Sequence, residues 1–123
     1  MYPFDRHYTK DHEWIAVTGT SAQIGITDYA QQQLGDVVFV ELPEVGQTFE
    51  AGAQFGSIES VKAVSDLFCP LAGRVVEVNT ELTDHPEAVN EGPHDAWMVV
   101  IELSDASQVS RLLDATAYGE LVA

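Results

Sequence analysis

The sequence predicts one mainly-β domain, a sandwich or barrel interrupted by short helices, and three observations lead there. Seven short runs rich in Val, Ile and Phe recur along the chain, separated by turn residues. The 123 residues suffice for one domain, which buries about two-thirds of its unfolded surface without disulfides or metals. Hydrophobic residues reach 46% and charged residues only 20%, too apolar a balance for disorder.

The candidate strands, in order, are Glu13–Thr18, Ala22–Ile26, Val37–Leu42, Gln54–Ile58, Ala63–Phe68, Arg74–Asn79 and Trp97–Leu103. In the last, Trp97, Val99, Ile101 and Leu103 share one face of an extended strand. Gly19, Gly35, the Pro43-Glu44-Val45-Gly46 turn, Gly52, Gly73 and Gly92-Pro93 break the runs. Thr27 or Asp28 is placed to cap a short helix through Ala30–Leu34, which Gly35 ends. Asp84-His85-Pro86-Glu87 reads as a second helix start, with Pro86 in its first turn. The tail from Ser104 to Ala123 carries Val109, Leu112 and Leu113 at helical spacing, with Gly119 breaking its end. No repeat or linker divides the chain, so residues 1–123 are expected to form a single domain.

Charge narrows the partners. Twenty acidic residues against five Lys and Arg give a formal charge of −15. Nucleic acid and anionic membranes are disfavoured, because binding them takes clustered cations. A basic protein face or a cationic small-molecule group suits the chain better, and solubility is the plainer use of the same charge. Cys69 is the only cysteine, so no intrachain disulfide is possible. The longest apolar run, Ala96–Ile101, falls far short of the roughly 20 residues of a membrane span. Without a signal or transit pattern after Met1, the expected location is the bacterial cytoplasm, with a processed mitochondrial form as the lesser alternative.

Familiar catalytic signatures are missing. No G-x-G-x-x-G, G-x-x-x-x-G-K-[ST] or G-x-S-x-G occurs. His7, His12, His85 and His94 form neither an H-E-x-x-H pair nor a zinc spacing with cysteine, so no metal is expected. Cys69, before Pro70, reads as a buried inert thiol. The acidic stretch Glu81–Asp95 reads as a surface loop. One residue stays open. Lys62 lies between two candidate strands in Glu59-Ser60-Val61-Lys62-Ala63-Val64-Ser65-Asp66. An ordinary surface cation paired to Glu59 or Asp66 is the plainer reading of the residues by themselves. No Gly, Pro or Asn marks a hairpin tip there.

That segment nevertheless resembles the lipoylation motif of the glycine cleavage system H-protein family. So do Gly25-Ile26-Thr27-Asp28-Tyr29-Ala30-Gln31, Leu34-Gly35-Asp36-Val37-Val38-Phe39-Val40-Glu41-Leu42-Pro43, Tyr8-Thr9-Lys10-Asp11-His12-Glu13-Trp14 and Gly73-Arg74-Val75-Val76-Glu77-Val78-Asn79. The matches run in order from about Tyr8 to Leu121. The resemblance implies a lipoyl-domain-like barrel-sandwich hybrid of two β-sheets with short helices, one of them C-terminal. It implies lipoate on Lys62 through an amide, and a carrier without catalytic activity of its own. The arm would accept an aminomethyl group from a pyridoxal-phosphate-dependent glycine decarboxylase and present it to a tetrahydrofolate-dependent aminomethyltransferase. Dihydrolipoamide dehydrogenase would reoxidise it, and the carrier is expected to be monomeric.

Further residues inherit expectations from the motif. Glu59, Ser60, Val61 and Ala63 would belong to the hairpin read by lipoate-attaching enzymes, and Gly73 to a glycine turn on the opposite hairpin. Glu13 and Asp66 would shelter the loaded amine. Biotinyl domains place methionines around their lysine, where Val61 and Ala63 stand here. Lipoyl domains of dehydrogenase complexes usually carry Asp before it and are linked to further domains. An H-like protein that relays lipoate to other enzymes would have a similar sequence. A small acidic enzyme is disfavoured by the missing motifs.

Overall fold

The computed structural model describes residues 2–123. Among these residues nine strands form two antiparallel sheets. In chain order they are β1 (His7–Tyr8), β2 (Glu13–Thr18), β3 (Ser21–Ile26), β4 (Val37–Glu41), β5 (Thr48–Phe49), β6 (Gln54–Ser60), β7 (Val64–Phe68), β8 (Gly73–Val78) and β9 (Val99–Leu103). The larger sheet has the order β1-β2-β3-β9-β8-β5, and the smaller has β4-β6-β7. Fold class and all seven expected strands are therefore present, with ends shifted by at most two residues. The two additional strands, β1 and β5, are two residues long and too short to show a period.

Alternation explains the core. Ile15, Ile24, Val75, Val99 and Ile101 of the larger sheet meet Val40, Ile58 and Leu67 of the smaller, all buried. Each fully buried aliphatic side chain stabilises the fold by about 1.5–3 kcal/mol. Trp14 faces the other way on β2 and joins a second cluster with Tyr8, Ala115 and Tyr118. Gly25, opposite Trp14 in the β2–β3 register, is required there: an added Cβ would lie 2.5 Å from the indole.

The first helix, α1 (Asp28–Leu34), follows its sequence signals. Thr27 Oγ1 accepts from the Ala30 N–H at 3.2 Å, and Gly35 ends the helix at φ +81°. Two other expectations need correction. Glu81–Asp95 is not a plain loop: it folds into two single-turn helices, α2 (Glu81–Asp84) and α3 (Ala88–Glu91), which bury Leu82 and Val89. Asp84-His85-Pro86-Glu87 does lead into a helix, with Glu87 as the N-cap of α3 and the Pro86 carbonyl accepting from the Val89 N–H at 3.1 Å; Pro86, lacking an N–H, also stops α2 at Asp84. The tail is also two pieces, a 3-10 helix (Ala106–Arg111) and α4 (Ala115–Val122). Leu113 leaves the helical path to bridge Tyr8, exchanging backbone hydrogen bonds of 2.8 Å each way. Gly119 sits inside α4 and does not end it.

Candidate functional site

Lys62 stands at the tip of the β6–β7 hairpin, with Val61, Lys62, Ala63 and Val64 all exposed. The turn uses Ser60 in place of a glycine or asparagine. Its buried hydroxyl accepts from the N–H groups of Lys62 at 3.3 Å and Ala63 at 3.1 Å. Meanwhile the Ser60 N–H donates to the Ala63 carbonyl at 2.8 Å. A serine side chain satisfying backbone donors two and three residues ahead is a known turn device. The tip is also tied to its neighbour, since the Val61 N–H donates to the Asp36 carbonyl at 3.0 Å. Hence a lysine between two strands is held out on a braced loop.

No ion pair occupies it. Among the described residues the acid–base contacts within 4 Å are Arg6–Asp5 and His85–Glu87. Lys62 is therefore not paired to Glu59 or Asp66. Its aliphatic stem passes over Gly35, where an added Cβ would lie 3.4 Å from Lys62 Cε. Glu59 is exposed on the outer face of the smaller sheet, in one rung with Phe39 and Val64. Gly73 lies elsewhere. It begins β8 in the other sheet, pressed against backbone: a Cβ there would sit 2.4 Å from the Glu102 carbonyl oxygen. Close approach, and not a turn, is what requires that glycine.

Beside the hairpin runs a groove of about 420 Å³. Asp11, His12 and Glu13 form one wall, Tyr29, Ala30, Gln33 and Leu34 of α1 another, and residues 63 to 67 the edge nearest Lys62. The structure thus brings Glu13 and Asp66 to the same groove. They differ in setting. Asp66 is exposed on edge strand β7 and accepts a hydrogen bond from Gln54 Nε2 at 3.1 Å. Glu13 is only 3% exposed. Its Oε1 accepts from the Thr9 hydroxyl at 3.1 Å, while Oε2 is buried without a partner. Burial, helped by the Asp11 charge, pushes its carboxyl up to about 8, against the pull of the Thr9 hydroxyl and of the Phe68 backbone N–H. A buried, half-satisfied carboxylate is costly unless something cationic or donating completes it.

Asp11, His12 and Tyr29 lay outside the residues singled out from sequence. The signal for His12 is its place beside Glu13 and Trp14, a pattern that fits a structural or surface histidine better than a functional one. Cys69 matches its expectation. The thiol is 1% exposed and donates to the Leu71 carbonyl at 2.9 Å, and burial pushes it up to about 11. No cluster of three or more His, Cys, Asp or Glu suited to a metal occurs among the described residues. No helix among them is long and apolar enough to cross a membrane.

Two antiparallel sheets with one lysine on a projecting hairpin define a lipoyl-domain-like carrier fold. Comparison with known proteins narrows this. Residues 6–123 match the model of the glycine cleavage H-protein family. The glycine cleavage system H protein of Halalkalibacterium halodurans is 57% identical over 121 residues, covering 98% of this chain and 94% of the relative. That of Bacillus cereus strain AH187 is 58% identical over 120 residues, with 97% and 94% covered. A crystal structure of the Mycobacterium marinum glycine cleavage system H protein superposes with a TM-score of 0.89 at 43% identity, covering 97% of both chains. The chain belongs to the glycine cleavage H-protein family, lipoyl carriers of the glycine cleavage system.

Proposed function

We propose that Lys62 carries lipoate by an amide bond and that this protein shuttles an aminomethyl group, catalysing no step itself. The partners are the pyridoxal-phosphate-dependent glycine decarboxylase, the tetrahydrofolate-dependent aminomethyltransferase and dihydrolipoamide dehydrogenase. A lipoate-attaching enzyme acts on the hairpin beforehand. When bound, the lipoyl group supplies a reducible sulfur pair that takes up and hands on the one-carbon cargo.

The observation carrying this reading is the orphaned Glu13 Oε2 in the groove beside Lys62. An uncharged arm would leave that oxygen unsatisfied, whereas a primary ammonium completes it. Opposite charges 4 Å apart attract by about 1 kcal/mol in water and about 4 kcal/mol at an effective dielectric near 20. As the ammonium enters, the Glu13 proton leaves to solvent, and the sheltered groove then offers the cargo amine a stronger partner than open surface does. Asp66 holds a second carboxylate at the rim, between the hairpin tip and the buried acid. Ser60 fixes the tip so that the tether starts from a defined point, and tethering replaces diffusion with a high local concentration at each docked enzyme. Lys62 lies on the surface without an ion pair, as an attachment enzyme requires.

The test compares cargo retention. Lipoylated, reduced protein is loaded with formaldehyde and ammonia, which adds an aminomethyl group to a thiol and releases water; loss is the reverse. Glu13→Gln should lose the amine about ten- to a hundredfold faster, the scale of roughly 1.5–3 kcal/mol for a hydrogen bond to a charged group. Equal rates would remove Glu13 from the shelter.

A further inference from the structure

The wall that carries Glu13 is built at the mouth of a strand. Asp11 and His12 lie in the turn before β2, and together with Glu13, its first residue, they line the groove. The left-handed backbone of His12, φ +69°, permits this. Such a conformation costs a non-glycine residue about 1 kcal/mol or more and persists only where its surroundings hold it. Three hydrogen bonds hold it here, and the ring packs on Tyr29 of α1 with centroids 4.6 Å apart. The His12 N–H donates to the Thr9 carbonyl at 3.1 Å, and the His12 carbonyl accepts from the Thr27 N–H at 3.0 Å. The third contact reaches across the molecule: His12 Nδ1 lies 2.9 Å from the hydroxyl of Tyr118.

Tyr118 sits in α4, 106 residues away in sequence and fully buried. Its hydroxyl also lies 2.7 Å from Thr27 Oγ1. Thr27 is the N-cap of α1, the helix forming the facing wall of the groove. One oxygen thus touches both walls. The ring is fixed by stacking on Tyr8, with centroids 4.8 Å apart and planes at 13°, and by an edge contact with Tyr2 at 4.9 Å. Asp114 anchors the helix start by accepting from the Ala117 N–H at 2.8 Å.

We infer that Tyr118 is a positioning residue of the groove, its hydroxyl clamping His12 to the α1 cap and so holding Glu13 where it meets the cargo amine. This rests on the sheltering reading above, and it assigns one hydroxyl carried by the C-terminal helix, and not the helix as a whole, a part in cargo retention. Tyr118 touches neither arm nor amine. Its effect passes through the left-handed turn at His12 on one side and the cap of α1 on the other.

The clean variant is Tyr118→Phe, which keeps the ring and removes only the oxygen. In the unmodified protein the ¹⁵N shifts of the His12 imidazole should move, because Nδ1 loses its partner. In the lipoylated, loaded protein the amine should leave about three- to tenfold faster, the scale of one buried hydrogen bond. Ala115→Gly serves as the comparison, since it loosens α4 without touching the hydroxyl, and release should stay at the wild-type rate. Equal acceleration by Ala115→Gly would reduce Tyr118 to a brace of the helix and overturn the clamp. A protected wild type with an equally protected Tyr118→Phe, or an unmoved imidazole signal, would overturn it as well. If wild type itself loses the amine as fast as free dihydrolipoamide does, the sheltering reading fails instead.

Discussion

Lys62 and Glu13 lie on two sides of one groove and have opposite physical settings. The lysine is exposed on a braced turn, without an ion pair, its charge free in solvent. The glutamate is 3% exposed with one oxygen unpartnered, its proton held up by burial. An attachment point must be reachable by a modifying enzyme, so exposure costs it nothing. A shelter for a cationic cargo must be dry, because in water the attraction shrinks to about 1 kcal/mol. On the proposed function, the difference divides the work of a small fold without catalytic motifs: one residue would offer a tether and another, out of solvent, would receive its end.

The largest way to probe this contrast is through protons. The Glu13 carboxyl titrates near 8 in the fold against an ordinary value of 4.5. Between these values the folded state holds a proton that the unfolded state has released, so stability falls as pH rises. The slope is at most about 1.4 kcal/mol per pH unit inside that window. Burial lowers His12 and His94, and the Arg6 charge lowers His94 further. Histidines depressed in this way add stability as pH rises toward 6.5 and oppose the Glu13 effect there. The clean interval is therefore pH 7 to 8. Denaturant midpoints of the unmodified protein should drop across it, and Glu13→Gln should flatten the profile. A flat wild-type profile would mean that Glu13 is not buried as described.

Ser60 supports the exposed side of the comparison. Ser60→Ala removes the acceptor for two N–H groups of the turn, and should cost about 1 kcal/mol. A lipoate-attaching enzyme should then show a raised KM for the variant with little change in kcat, because the tip loses definition and not reactivity. An unchanged KM would detach the turn from recognition.

The smallest effect concerns the overall charge. Amide formation removes one cation, so −15 becomes −16 on attachment. Association with the decarboxylase should slow as salt rises, since exposed charges are screened beyond about 10 Å at 0.1 M. Salt-independent association would leave the acidic surface to solubility alone.

Much of the scaffold could be read from local pattern. The seven longer strands announce themselves by β-branched and aromatic runs, and Thr27 and Gly35 bracket α1 by cap chemistry. What escaped depends on distant partners. Strands β1 and β5 are two-residue pairings with no period of their own. Helical spacing at Val109, Leu112 and Leu113 yields to a bridge between Leu113 and Tyr8 across the chain. The lysine hairpin hid because its turn is made by a serine hydroxyl. Lys62 itself was singled out through motif resemblance, since composition and spacing by themselves read more plainly as a paired surface cation. Glu13 and Asp66 came from the same motifs, but burial separates them, and burial belongs to the closed groove and not to either segment.

The central claim is that Lys62 is the attachment point. Incubation with lipoate, ATP and a lipoate ligase, followed by intact mass and peptide mapping, tests it most directly. The account predicts a gain of one lipoyl group per chain, on the peptide containing Lys62 and not on that containing Lys10. An unmodified Lys62 under conditions that fully modify a control lipoyl domain, or a label on Lys10 instead, would contradict it.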